Sequence, residues 1–331
     1  MLFAQRALNC RNKTMHTITE NNRKELSPAD YAERYCDAAM PSDIGFHLRE
    51  SSAADFPLPR RKAQSHKYSY GRALLIAGSA GYAGAPALAA NACERSGAGL
   101  THLMVPESIY SIAASRCDGA VVTPLCAAPE GGIAENAVSQ ILRTLKNVQA
   151  CAVGPGLGTG TGARAVLEAV LRESACPLVL DADALNLCAR EPELLSLCRA
   201  PLILTPHEGE FRRLGGRPEE GRLNAALRFV REHGGAILIL KGHGTLICRE
   251  GEACVNPTGG PAMAKGGSGD VLCGILCALL AQGFEPWFAA RCAVWLHGRA
   301  GDLAAEETGE YCLAPSDLIR CLPGAFRELP G

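Results

Sequence analysis

Three things are scarce in this 331-residue chain, and each scarcity removes a class of function. Charge imbalance is nearly absent: 33 Lys and Arg stand against 34 Asp and Glu, mixed along the chain. A net charge of −1 offers no footprint for nucleic acid or another polyanion. No uninterrupted apolar run approaches the roughly 20 residues that span a bilayer, so no membrane partner is expected. Cysteine is plentiful, at 16, yet no Cys-x-x-Cys pair or Cys/His cluster of zinc-ligand spacing occurs. Cys93, Cys151, Cys273, Cys277 and Cys292 lie inside apolar segments and read as small buried hydrophobes in a reducing compartment. A cytoplasmic location is the expectation. The opening Met-Leu-Phe-Ala-Gln-Arg-Ala-Leu lacks the apolar core of a secretory signal, but carries no acid before Glu20. An organelle leader or a start upstream of Met15 would each account for it.

What is present is an apolar content of 47%, enough for a sizeable core. Residues 1–64 are polar and irregular, with one short helix expected after Ser27, where Pro28 takes the first helical position. Pro57, Pro59, Arg60, Arg61 and Lys62 mark a linker, and no chemistry is visible before Ser65. From Ala73 the pattern becomes apolar strands separated by helices: 73–77, 100–105, 150–153, 178–180, 202–204 and 236–240. That alternation predicts an α/β fold with a mostly parallel central sheet and helices on both faces. Residues 245–248 and 252–255 flank Arg249-Glu250-Gly251 and predict an antiparallel hairpin at the sheet edge. The division expected is an extension over 1–64 and one domain over 65–331.

In open α/β sheets, ligands sit beyond the carboxyl ends of the strands. The polar motifs fall there: Gly78–Gly84, Gly154-Pro155-Gly156-Leu157-Gly158, Asp181-Ala182-Asp183, Thr205-Pro206-His207-Glu208-Gly209-Glu210 and Lys241-Gly242-His243-Gly244-Thr245. Gly78-x-x-Gly81-x-x-Gly84 lacks the dinucleotide fingerprint spacing, and no acid closes the next strand near Val105, which disfavours a redox site. A Walker-type phosphate loop is absent as well.

The densest motif is Asn256-Pro-Thr-Gly-Gly-Pro-Ala-Met-Ala-Lys-Gly-Gly-Ser-Gly-Asp270, running into an apolar stretch of helical length. A glycine-rich turn opening a helix leaves backbone N–H groups unpaired at the positive end of the dipole, a ready phosphate site. Asp270, in the first turn, is placed to take a proton from a hydroxyl beside that phosphate; the plainer reading is an N-terminal capping carboxylate.

Together these residues resemble the carbohydrate-kinase-like NAD(P)H-hydrate dehydratases of the ribokinase-like superfamily. The resemblance runs from Ser65-His66-Lys67 to about Leu322 and includes Asn256-Pro257-Thr258-Gly259, Gly266-Gly267-Ser268-Gly269-Asp270 and Leu296-His297-Gly298-x-Ala300-Gly301-Asp302. It implies a ribokinase-like fold and the return of hydrated NADH or NADPH to the reduced cofactor, at the expense of ADP or ATP. The implied route phosphorylates the ring hydroxyl and then expels phosphate. By resemblance, Asp270 is the base, and Gly266, Gly267, Ser268 and Gly269 form the anion hole. Lys241, Gly242, His243, Gly244, Thr245 and Gly269 line the nucleotide; Ala85, Gly156, His207 and Asp270 meet the hydrate. Magnesium is implied as a charge neutraliser with no ligand assigned, and so is a homo-oligomer, by family habit a tetramer. ADP is the expected donor, from an unfused, Ala/Gly-rich and bacterial-looking chain. The family is often fused to an epimerase domain, for which residues 1–64 are too few. Glu208 departs from the usual Pro, Ser268 from the usual Thr, and Tyr68 from the usual Gly. Two alternatives stay open: a kinase of a vitamin precursor or sugar, which would stop at phosphorylation, and a nucleotide sensor without turnover. Plainer roles also stand for Asp181 and Asp183 as helix caps, for His297 and Asp302 in packing, and for Lys265 as a surface charge.

Overall fold

The computed structural model describes residues 25–35, 37 and 45–331; the leader question therefore lies outside the described residues. The strands in chain order are β1 His47–Glu50, β2 Arg72–Ile76, β3 Leu100–Pro106, β4 Val121–Leu125, β5 Ala150–Val153, β6 Leu178–Leu180, β7 Leu202–Leu204, β8 Ala236–Leu240, β9 Thr245–Arg249 and β10 Glu252–Asn256. The helices are α1 Pro28–Tyr35, α2 Gly84–Arg95, α3 Tyr110–Ser115, α4 Val138–Leu145, α5 Thr161–Glu173, α6 Asp183–Arg190, α7 Glu208–Arg213, α8 Arg222–Glu232, α9 Ser268–Ala281, α10 Pro286–Thr308 and α11 Pro315–Arg327.

One sheet holds all ten strands in the order β1-β10-β9-β8-β7-β6-β5-β2-β3-β4. Only β9 runs against the rest, since it pairs antiparallel with both β8 and β10 while the remaining pairs are parallel. The expected fold class holds. Side chains alternate across the pleat. Leu75, Val105, Ala152, Val179 and Ile239 face a core shared with α2, α9, α10 and α11. Leu74, Ile76, Met104, Val153, Leu180 and Leu238 face the other, with α5, α7 and α8.

Two findings go beyond the sequence reading. The hairpin is not the outermost pair: β1, from the stretch read as irregular, adds in parallel to β10 and closes that edge. Four residues, His-Leu-Arg-Glu, carry too little alternation to announce a strand. At the opposite edge β4 contains Pro124, which an edge strand tolerates because one side of its ladder is unpaired. Ser27 caps α1 as expected, its Oγ accepting the Asp30 N–H at 3.1 Å.

The chain winds outward from β2 to β3 and β4, then returns to β5 on the other side of β2. Strand order therefore reverses between β2 and β5, and a crevice opens beyond their carboxyl ends. The start of α9 is aimed into it.

Candidate active site

The start of α9 is a backbone device. Gly267 is its N-cap at φ 100°, a left-handed conformation that costs a side-chain-bearing residue energy. A Cβ there would also lie 2.8 Å from Leu88 Cδ1 and 2.9 Å from Pro315 Cγ. Among the described residues, the N–H groups of Gly266, Gly267, Gly269 and Asp270 find no partner in the chain. Ser268 differs from the sequence expectation. Its N–H donates to the Lys265 carbonyl at 3.3 Å and its hydroxyl to the Met263 carbonyl at 2.9 Å. The unpaired amides at the turn are thus those of three glycines and of Asp270, with Ser268 fastening the turn.

Helix α10 holds this turn from behind. His297 Nε2 lies 2.9 Å from the Ser268 carbonyl, to which it donates, and burial pushes its pKa down to about 4, so the ring stays neutral. Asp302 accepts the Gly259 N–H on both oxygens, at 3.1 and 3.2 Å. Asn256 Nδ2 donates to the Thr258 carbonyl at 2.9 Å, and Thr258 Oγ1 to the Trp295 carbonyl at 3.1 Å. His297 and Asp302 are thus both hydrogen-bonded to the loops around the turn. Lys265 turns away, its Nζ donating to the Tyr311 carbonyl at 2.7 Å.

Across the crevice stands a charged network. Asp181, only 2% exposed, accepts on Oδ1 from Thr205 Oγ1 at 2.8 Å and from Lys241 Nζ at 2.9 Å. Glu210, 7% exposed in its side chain, lies 3.8 Å from the same ammonium. Burial alone would lower the Lys241 pKa, but the charges of Asp181 and Glu210 outweigh it and raise the value. A Cβ on Gly269 would come 3.3 Å from Lys241 Nζ and 3.8 Å from Asp181 Oδ2. The bare amides, the lysine and the carboxylates therefore converge.

Asp270 lies within this convergence. Burial is the main cause that lifts its pKa to about 7, the charges of Asp181 and Asp183 add to it, and Lys241 opposes. A carboxylate with a pKa near neutrality suits a general base, which must be largely deprotonated yet still basic. The capping alternative finds no support, since no backbone N–H donates to the Asp270 side chain among the described residues.

His207 does two things. It is the N-cap of α7, its Nδ1 accepting from Gly209 N at 2.9 Å and Glu210 N at 3.4 Å. Its Nε2 faces Glu210 Oε1 at 3.6 Å on a ring more than half exposed. Ala85 and Gly156 meet at the switch point, where a Cβ on Gly156 would lie 3.4 Å from that of Ala85 and 2.7 Å from that of Tyr82. Asp183 accepts the Gly158 N–H at 2.9 Å, which ties that loop to the β6 end. Between the two aspartates Ala182 sits at φ 48°, among the described residues the one non-glycine with positive φ. Such strain is characteristic of a site that must aim neighbouring side chains. Thr205, Glu210 and the strained Ala182 were not singled out by sequence; all three lay in strand-end motifs, but only the fold places Thr205 and Glu210 on Asp181 and Lys241.

Loop 241–245 carries the remaining residues. Thr245 Oγ1 donates to the Gly242 carbonyl at 2.9 Å, and Arg222 Nη1 to that of His243 at 2.6 Å. Among the described residues no three His, Cys, Asp or Glu side chains form a metal cage.

A family model described as NAD(P)H-hydrate dehydratase matches residues 73–324. The chain belongs to that family. It is 40% identical over 277 residues to the bifunctional NAD(P)H-hydrate repair enzyme Nnr of Moorella thermoacetica, covering 82% of this chain and 52% of that one. To the bifunctional repair enzyme of Leishmania major it is 39% identical over 288 residues, 80% of this chain and 50% of that one. The chain spans about half the length of the curated relatives it matches. Among solved structures, a ribokinase-like superfamily protein of Enterococcus faecalis superposes with a TM-score of 0.74 at 28% identity, over 86% of this chain and 97% of that one. The ADP/ATP-dependent NAD(P)H-hydrate dehydratase of Bacillus subtilis, co-crystallized with ATP/Mg2+, gives 0.68 at 30% identity, over 82% and 94%. The family's matched span opens at β2 and takes in every motif described at the crevice. No helix of the described residues is long and apolar enough to cross a membrane.

Proposed function

We propose that this chain dehydrates hydrated NADH or NADPH using ADP or ATP. The observation that carries the reading is Asp270, its pKa lifted to about 7, in the first turn of a helix whose opening amides are unpaired. Asp270 takes the proton of the ring hydroxyl. The alkoxide oxygen attacks the terminal phosphorus, and the bond from that phosphorus to the rest of the nucleotide breaks. The amides of Gly266, Gly267, Gly269 and Asp270 hold the charge that develops on the transferring group, with Lys241 beside them. Phosphate then leaves with the hydroxyl's oxygen, a proton leaves the adjacent ring carbon, and the ring double bond returns. Loop 241–245 lines the nucleotide; Ala85, Gly156 and His207 line the hydrate.

Magnesium fits here as an ion carried on the phosphates. Asp181 gives Oδ1 to Thr205 and Lys241 and keeps Oδ2 toward Gly269, and one or two carboxylates plus substrate phosphates is this ion's usual manner of binding. When bound it would neutralise phosphate charge. A homo-oligomer, tetrameric by family habit, belongs to the same reading and is checked by light scattering.

The test is to add ADP or ATP, side by side, to hydrated NADPH and follow the near-ultraviolet absorbance of the reduced nicotinamide. Recovery with one donor or both is expected. A phosphorylated hydrate that accumulates without recovery would make the chain a kinase instead.

A further inference from the structure

The segment before the matched family span is built into the loop assigned to the nucleotide. α1 lies on that loop: the ring of Tyr35 rests on Gly244, where a Cβ would fall 2.3 Å from Tyr35 Cδ1. Gly244 has φ 59°, so the loop's left-handed turn and the ring's seat are one feature. Tyr35 also meets the ring of His243, centroids 5.5 Å apart, and is itself backed by Tyr31 at 5.2 Å. Both tyrosines are buried, at 1% and 9% exposure.

Asp37 reaches the same loop indirectly. Its Oδ1 accepts the Arg222 N–H and its Oδ2 the Leu223 N–H, both at 2.9 Å, capping α8 from a distant part of the chain. The helix start so fixed presents the Arg222 guanidinium to the loop. It donates to the His243 carbonyl at 2.6 Å and the Leu240 carbonyl at 3.4 Å, and pairs with Glu208 at 3.1 Å. Glu208, the departure from the family's usual Pro, thereby acquires a partner. The segment is in turn anchored to the sheet edge: Leu26 N donates to the Leu48 carbonyl at 3.1 Å, and Arg34 pairs with Glu50.

We propose that Tyr35 and Asp37 are positioning residues for the phosphate donor, holding loop 241–245 from outside the matched span in its nucleotide-binding shape. The proposal rests on the nucleotide reading of that loop. A segment that merely stabilised the fold would have no reason to grip the loop's ring and carbonyl. These contacts act on Gly244 and His243, not on the Lys241–Asp181 pair itself.

The experiment measures initial rates of Tyr35→Ala, Tyr35→Phe and Asp37→Asn, varying nucleotide and hydrate separately, with Lys241→Met as reference. Tyr35→Ala and Asp37→Asn should each raise the nucleotide KM about tenfold and leave the hydrate KM within about twofold. Tyr35→Phe, which keeps the ring on Gly244, should restore the nucleotide KM. Gly244→Ala should damage nucleotide binding less in the Tyr35→Ala background than alone, because the removed ring is what its methyl would strike. If Tyr35→Ala and Asp37→Asn lower Tm but leave both KM values unchanged while Lys241→Met weakens nucleotide binding, the positioning role is refuted and the loop assignment survives. If Lys241→Met also leaves nucleotide binding unchanged, the loop assignment itself fails.

Discussion

The two walls of the crevice are made differently. The α9 wall is almost all backbone: a left-handed Gly267 and a row of amides with no partner. The facing wall is almost all side chain: Asp181, Thr205, Lys241 and Glu210 in one network. A backbone anion site needs no reorganisation when charge arrives, because the dipoles are fixed by the helix. A side-chain network can tune a neighbour's protonation, and here it does so to Asp270 from both signs of charge. On the proposed reading, the amides hold a phosphoryl group and the network sets the acidity of the group that prepares its acceptor.

The harshest way to break that division is Asp270→Asn, which keeps the α9 wall and removes the group the other wall tunes. Dehydration should fall at least about 10²–10⁴-fold, the usual worth of a general base, while nucleotide affinity by calorimetry stays within about twofold. Turnover that survives the change would remove Asp270 from the mechanism. In the wild type, the basic form is the carboxylate. kcat/KM should therefore climb with pH up to about 7 and then level. Stability should move the other way. The folded pKa lies above the ordinary 3.8, so the native state binds more protons between the two values. Stability is then lost as pH rises through that window. Asp270→Asn, uncharged throughout, should melt higher than wild type above pH 7, by something of order 1 kcal/mol.

Gly267→Ala attacks the backbone wall alone. The methyl meets Leu88 and Pro315 at a positive φ, so relieving it must turn the amides. A loss of kcat of about 10²-fold is expected, the scale of removing an oxyanion donor, together with about 1–3 kcal/mol of stability. The acid limb of the pH profile should stay where it was. If that limb moves, the two walls are not separable.

Lys241→Met does the reverse. Its charge opposes the rise in the Asp270 pKa, so its loss should move the acid limb to higher pH, and it leaves buried Asp181 without its cation. The cost in stability is about 2–4 kcal/mol, and Asp181→Asn in the same chain should recover part of it. A limb that stays in place would mean that the network does not tune the base.

Legibility in the sequence follows the same division. The backbone wall could be read directly, because a helix that opens on bare amides needs glycine, and Gly266, Gly267 and Gly269 announce it beside Asp270. The parallel sheet could be read for a similar reason: strands buried on both faces are short apolar runs. The side-chain wall could not. Asp181, Thr205, Glu210 and Lys241 come from three separate strand ends, and only the adjacency of β6, β7 and β8 makes them one network. β1 was not read at all, and α1, though expected as a helix, could not be placed against the sheet, for a sharper reason. Eight and four residues of mixed polarity carry little periodicity, and what they stabilise lies some two hundred residues away. Ser268 was grouped with the glycines because its type suits phosphate binding, whereas in the structure its N–H and hydroxyl both bond inside the turn.

Lys265 gives the smallest expected effect and the cleanest control on the comparison. It adjoins the glycine turn, and proximity in sequence alone would make it a second cation for the phosphoryl group. In the structure its ammonium leans out to the Tyr311 carbonyl at the surface, and the crevice's cation comes instead from Lys241, far off in sequence. Lys265→Ala should therefore leave kcat and both KM values within about twofold, and an exposed substitution of this kind changes stability by no more than about 0.5 kcal/mol. A tenfold fall in kcat would show that Lys265 swings inward when the donor arrives. The α9 wall would then carry a charge of its own and no longer be built from backbone alone.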